Sequence, residues 1–136
     1  MENCIFCQIV AGKSPCYKVY EDDNFLAFLD TSPRVKGHTL VIPKKHFQWV
    51  YDVLEFNQYW QTVLKITKAI QRSLKPDFVS YSTYGLEVAH AHIHILPHQN
   101  MLKGEIWPAV KRFSVEEMER IAKNFSQEVT RLDSDK

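Results

Sequence analysis

No apolar run in the chain approaches the roughly 18 residues that a membrane-spanning helix needs, so no membrane partner is expected. The first residues lack the charged, apolar and small-residue layout of a secretory signal, and the cytoplasm is the expected location. Charge of one sign is lacking too. The 17 Lys and Arg against 16 Asp and Glu leave +1, which implies no field for nucleic acid or an acidic partner. With four glycines there is no Gly-rich phosphate loop, and neither an internal repeat nor a linker is visible. Three cysteines read as metal ligands or free thiols rather than a disulfide framework. What is there is a 136-residue chain, 45% hydrophobic, which can fill one core and is expected to be a single domain over residues 1–136.

The stretch around which the chain is organised is His90-Ala91-His92-Ile93-His94-Ile95-Leu96-Pro97. The alternation predicts a strand with His90, His92 and His94 on one face and Ala91, Ile93 and Ile95 on the other. Neighbouring histidines in such a row are about 6.5–7 Å apart and the outer two about 13 Å. One ion is therefore a poor fit to all three, and different histidines must do different jobs.

Elsewhere the pattern predicts an α+β fold. Cys4-Ile5-Phe6-Cys7 reads as half a zinc site or a redox motif, and zinc would need two further ligands. A short apolar helix follows it and ends at Gly12, while Cys16 reads as a small packing residue. Residues 17–20 and 25–29 predict a hairpin across the polar turn 21–24. Residues 37–43 predict a buried strand. A long helix is expected over residues 52–74, with Asp52 and Glu55 as a capping box and Val53, Phe56, Trp60, Val63, Leu64, Thr67, Ile70 and Leu74 as its apolar stripe. A strand at 78–82 paired with the histidine strand is expected to form the centre of the sheet. Residues 98–108 should be irregular. A last helix is expected over about 114–131, opened by Ser114 and Glu117, with a frayed tail over 131–136. The sum is about five strands in one antiparallel sheet, with a short N-terminal helix, one long helix and a C-terminal helix packed on it.

The histidine row resembles the histidine triad (HIT) motif, His-φ-His-φ-His-φ-φ. The resemblance extends over Cys4-Ile5-Phe6-Cys7, Val19-Tyr20-Glu21-Asp22, Leu26-Ala27-Phe28-Leu29-Asp30 and Gly37-His38-Thr39-Leu40-Val41-Ile42-Pro43-Lys44-Lys45-His46. It covers about residues 4–97 and leaves the C-terminal extension outside. It implies a hydrolase acting at the α-phosphorus of nucleoside monophosphate conjugates, adenosine or guanosine, with amine or phosphate leaving groups. By this resemblance His92 is the nucleophile that forms a covalent nucleotidyl-histidine, and His94 stabilises charge on the phosphoryl oxygens. A neutral imidazole suits the first role when its other nitrogen is held by a fixed acceptor. Asp30 would bind the ribose, and Phe28 and Thr31 would line the base pocket. Ser82, in place of a family Asn, and Glu87 would lie near the phosphate.

Zinc-carrying relatives imply a structural ion held by Cys4, Cys7, His46 and His90. The family also implies a homodimer, paired through the long helix and a sheet edge, with the Phe56/Trp60/Val63 stripe as apolar area. The chain departs from the family pattern at Leu86, where a Gln is usual, and at Pro97-His98, where an Arg often follows the triad. The phosphoramidase type of hydrolase stands beside two alternatives: a dinucleoside polyphosphate hydrolase, and a zinc-stabilised nucleotide-binding module with little catalysis.

Overall fold

The computed structural model describes residues 3–100 and 105–135. Among them, five strands form one antiparallel sheet: β1 (Lys18–Glu21), β2 (Phe25–Leu29), β3 (Thr39–Pro43), β4 (Phe78–Ser82) and β5 (Ile93–His98), in the order β1-β2-β3-β5-β4. Three helices, α1 (Ile5–Val10), α2 (Phe56–Leu74) and α3 (Val115–Ser134), complete the α+β architecture. No helix among the described residues is long and apolar enough to cross a membrane.

The sheet is covered on both faces, which is why β2 and β3 are buried at every residue rather than alternately. On one face Ala27, Val41, Ile93 and Ile95 meet α2 and α3 through Tyr59, Val63, Ile66, Ile70, Ile121 and Phe125. On the other, Leu26, Phe28, Leu40 and Ile42 meet Phe6, Ile9 and Val10 of α1. Full burial of each such side chain is worth about 1.5–3 kcal/mol. Local chemistry sets the hairpin: Asp22 Oδ1 accepts from the backbone N–H of Asn24 and of Phe25, both at 2.8 Å, and so closes the β1–β2 turn. Ser114 caps α3 by accepting from Glu117 N at 3.1 Å.

Four expectations are corrected. The β4 strand is an edge strand, because β5 inserts between it and β3. The long helix begins at Phe56; Val50–Asp52 is a separate 3-10 turn, and Glu55 caps without a side-chain hydrogen bond, so no capping box forms. Its core face is Tyr59, Val63, Ile66 and Ile70, while Phe56 and Leu64 are exposed. Tyr59 occupies the core because its hydroxyl donates to the Val41 carbonyl of the central strand at 2.6 Å and its ring stacks on Phe25. The C-terminal helix runs to Ser134, because Leu132 of its last turn packs against the core; the ion pairs from α2, Lys65 to Asp133 at 3.3 Å and Arg72 to Asp135 at 3.5 Å, lie beside it. Residues 101–104 of the expected irregular stretch and Lys136 of the expected tail lie outside the described residues.

Candidate active site and metal centre

The histidine row starts before its strand. His90 and His92 precede β5, and only His94 lies within it. Ala91 N donates to the Phe47 carbonyl at 2.6 Å, which pulls residues 90–92 away from the β3 ladder and toward the chain just after His46. The alternation survives: Ala91, Ile93 and Ile95 enter the helix-side core. His92 packs edge-on against Phe6 of α1 at 5.2 Å, and His94 lies opposite Leu40 in the β3–β5 register.

Backbone carbonyls decide which nitrogens carry protons, since a carbonyl can only accept. The Pro43 carbonyl is 2.8 Å from His90 Nε2, so that nitrogen donates and Nδ1 keeps its lone pair. The His90 carbonyl is 2.7 Å from His92 Nδ1, so His92 keeps its lone pair on Nε2. Adjacent histidines are thus set to opposite tautomers.

The His90 lone pair faces Cys4 Sγ at 3.3 Å, Cys7 Sγ at 3.5 Å and His46 Nδ1 at 3.1 Å; His46 Nδ1 is 3.3 Å from Cys7 Sγ. Cys4 caps the N-terminus of α1, so the short helix carries both thiols to the same side. In a tetrahedron with zinc–nitrogen bonds of about 2.0–2.1 Å and zinc–sulfur bonds of about 2.3 Å, the nitrogen–nitrogen edge is about 3.3 Å and the nitrogen–sulfur edge about 3.6 Å. The observed separations are close to these edges. All four donor atoms lie within 4.8 Å of one another, so the cluster is compatible with a structural zinc site.

On the other side of His92, whose ring is 4.9 Å from that of His94, a second group forms. His94 Nδ1 is 2.9 Å from His38 Nε2, and Asp30 Oδ2 is 3.6 Å from His38 Nε2 and 4.0 Å from His94 Nδ1. Asp30 Oδ1 accepts from Ser32 N at 2.8 Å, which fixes the carboxylate at the end of β2. Burial pushes His94 down to about 3, with the charges of His38, His92 and Arg34 acting in the same sense. Burial also pushes His38 down to about 4, although it is the more enclosed ring; the Asp30 carboxylate partly offsets the effect.

The remaining candidates are dispersed. Phe28 is buried and packs on Phe6 at 5.6 Å. Ser82 ends β4 opposite His94 in register. Thr31 is exposed on the rim of a groove shared with Cys16, Lys18 and Lys123. Glu87 is exposed and lines a cleft with Cys4, His46 and Ala89, on the cysteine side of the row.

Two residues near the row were not singled out from the sequence. His38 is fully enclosed at the entry to β3, where a charged-capable side chain before an apolar strand was the available signal. Trp107 packs edge-on against His94 at 5.1 Å and His38 at 5.7 Å. Arg34 lies over its ring at 5.0 Å and donates to the Pro108 carbonyl. Its signal was a Trp-Pro pair at the end of the stretch expected to be irregular.

Comparison with known proteins agrees with this geometry. The HIT domain family model matches residues 11–101. "Protein hit" of Bacillus subtilis is 45% identical over 118 residues, covering 80% of this chain and 79% of the relative. The "Adenosine 5'-monophosphoramidase hnt1" of Schizosaccharomyces pombe is 32% identical over 93% of this chain and 98% of its own length. The crystal structure of a zinc-bound histidine triad family protein from Mycobacterium smegmatis superimposes with a TM-score of 0.81 at 31% identity, over 99% of both chains. With the matched domain holding the whole row and the fold shared end to end, this chain belongs to the HIT family and is a HIT-family hydrolase.

Proposed function

We propose that the protein hydrolyses adenosine or guanosine 5′-phosphoramidates and related nucleoside monophosphate conjugates through a nucleotide covalently held on His92. The observation that carries this reading is the 2.7 Å bond from His92 Nδ1–H to the His90 carbonyl, which leaves the Nε2 lone pair for attack. In the first step His92 Nε2 bonds to the α-phosphorus, the bond from phosphorus to the leaving amine breaks, and the amine departs after taking a proton from solvent. In the second, water bonds to phosphorus and releases its proton to solvent while the phosphorus–nitrogen bond breaks. Its electron pair returns to Nε2, and the nucleoside monophosphate leaves. His94 hydrogen-bonds a non-bridging oxygen as charge builds. Asp30 accepts from the ribose hydroxyls, Phe28 and Thr31 flank the base, and Ser82 lies on the phosphate side. Glu87 takes no part in this reading, because it lines the cleft over Cys4 and His46.

Similarity to the monophosphoramidase of Schizosaccharomyces pombe over nearly the full chain supports the substrate class. Cys4, Cys7, His46 and His90 would hold a structural zinc that ties α1 to the triad; two thiolates and two imidazoles fill four positions and leave none for substrate. The C-terminal helix belongs to the same domain in this reading, since Met118, Ile121 and Phe125 share the core with the sheet. The protein would act as a cytoplasmic homodimer joined at β4, an edge strand whose Phe78 and Tyr81 are exposed.

The test is to mix the protein with an AMP-amide, quench at high pH and map peptides by mass spectrometry. AMP should appear on His92, and His92→Asn should abolish both adduct and turnover while AMP still binds. An active His92→Asn protein, or an adduct on His94, would overturn the reading. Running diadenosine polyphosphates in the same assay separates the two hydrolase types.

A further inference from the structure

We infer that Cys4 and Cys7 form a redox latch: oxidation joins them in a disulfide, frees the metal that ties α1 to the histidine row, and switches the site off reversibly. The inference rests on the proposed function for its effect on turnover and on the fit of the four residues to zinc. The latch itself is read without any substrate.

The argument begins with what holds α1 in place. A six-residue helix is too short to be stable by itself. The backbone N–H groups of Gln8, Ala11, Gly12, Lys13 and Ser14 donate to carbonyls of residues 4–9, so they close within the segment and not on the sheet. One tie to the sheet is apolar: Phe6, Ile9 and Val10 dock on Leu26, Phe28, Leu40 and Ile42. A second is the thiol pair, with Cys4 facing His90 and Cys7 facing His46 and His90. This docking reaches the site through Phe6. Its ring packs edge-on against His92 at 5.2 Å, His90 at 5.8 Å and Phe28 at 5.6 Å. One ring therefore walls both the nucleophile and the residue assigned to the base.

The thiol pair has two exclusive uses. Cys4 caps α1 and Cys7 lies one turn on, its backbone N–H 3.4 Å from Cys4 Sγ, so both sulfurs are on one side. In a tetrahedral zinc site two sulfurs stand about 3.8 Å apart. In a disulfide they are about 2.05 Å apart and carry no thiolate charge for the ion. The two sulfurs now lie within 4.8 Å of each other, in reach of either state. Both thiols are half-buried, and Cys4 lines a surface cleft with His46, Glu87 and Ala89 that admits a small oxidant. Cys16, the third thiol, lies outside the cluster, in the groove beside Lys18 and Lys123.

The oxidant is a peroxide. Cys4 Sγ bonds to one oxygen of hydrogen peroxide, the O–O bond breaks, and the departing hydroxide takes a proton from solvent to become water. Cys7 Sγ then bonds to the Cys4 sulfur and the S–O bond of the sulfenic acid breaks. That hydroxide leaves as a second water with a second solvent proton. The two sulfurs are oxidised and the peroxide is reduced. His46 and His90 remain as two ligands where zinc needs four, so the ion dissociates. α1 then keeps only its apolar contacts, and Phe6 is no longer fixed against His92. A thiol reductant restores both thiolates and the site rebinds the ion.

The experiment titrates full-length zinc-loaded protein with hydrogen peroxide. It follows zinc with a chromogenic chelator, the peptide holding Cys4 and Cys7 by mass spectrometry, backbone hydrogen exchange, and AMP-amide kinetics. Zinc release should parallel the loss of two hydrogens from that peptide. The amides of residues 8–14 should lose protection while those of α2 keep theirs. The value of kcat/KM should fall on the order of 10-fold, and dithiothreitol with zinc should restore all four readings. Cys16→Ser should respond like the native protein. Reduced protein stripped of zinc by a chelator should show the exchange pattern of the oxidised form, and so should Cys7→Ser. A protein that takes up no zinc, zinc retained under excess peroxide, a disulfide to Cys16, irreversible loss, or unchanged protection in residues 8–14 would each overturn the inference. If Cys7→Ser does not fold, the stripped native protein decides it. If native protein turns over no AMP-amide, the proposed substrate fails while zinc, disulfide and exchange still read the latch.

Discussion

Gly37→Ala should be among the more damaging single-methyl changes available in this chain, and the structure separates why. Gly37 has φ +86°, in the region where L side chains are strained, and a Cβ there would stand 2.7 Å from Leu74 Cδ1 and 2.9 Å from Phe125 Cζ. The backbone strain costs about 1–2 kcal/mol. The Leu74 methyl is the end of a half-buried side chain and can swing, but the Phe125 ring is fully buried and has nowhere to go. Overpacking of that kind adds about 1–3 kcal/mol. The expected loss is about 2–5 kcal/mol, a shift of roughly 1–2.5 M in the urea midpoint for a domain this size. Gly12→Ala is the matched control: φ is +77°, yet nothing lies within 4 Å of the added methyl, so only the strain of about 1–2 kcal/mol applies. Urea unfolding of the three proteins at equal metal load gives the packing contribution by difference. A Gly37→Ala protein no less stable than Gly12→Ala would refute the claim that the contact between α3 and the β2–β3 connection is close-packed. Because His38 follows Gly37 directly, the rate should fall in Gly37→Ala and not in Gly12→Ala.

Purified protein should hold about one zinc per chain, lost in Cys4→Ser and in His90→Ala. Chelation should lower the unfolding midpoint by several degrees, at roughly 2–4 °C per kcal/mol; an unchanged midpoint would remove the structural role. Acidification should expose the buried imidazole of His38. Its folded-state value is lowered from 6.5 to about 4, so between those pH values the unfolded chain binds the extra proton and stability falls as pH falls. The native protein should lose up to about 1.4 kcal/mol per pH unit relative to His38→Gln, measured by urea unfolding in steps from pH 7 to 4.5. Parallel curves would show that His38 is not held neutral. A homodimer should scatter light at twice the 16.0 kDa chain mass, and a monomer at micromolar concentration would remove the β4-edge pairing.

The sequence by itself determined those features whose physics is local. The Asp22 turn, the Ser114 cap and the stop of α1 near Gly12 each rest on hydrogen bonds or backbone angles within a few residues. The two-residue period placed Ala91, Ile93 and Ile95 in the core, and the spacing of the triad with the N-terminal Cys pair was specific enough to carry the family. Tertiary structure decided what depends on partners far along the chain. Apolar residues lie on more than one side of α2, so only docking against β3 chose Tyr59 over Phe56 for the core, through a hydroxyl whose acceptor is 18 residues away. The insertion of β5 beside β3 made β4 an edge strand, which no property of residues 78–82 announces. The pairing of His38 with His94 spans 56 residues, and it was invisible for the same reason: a histidine's role is set by the proton on each nitrogen. That proton is set by whichever amide, carbonyl or carboxylate the fold brings within 3 Å.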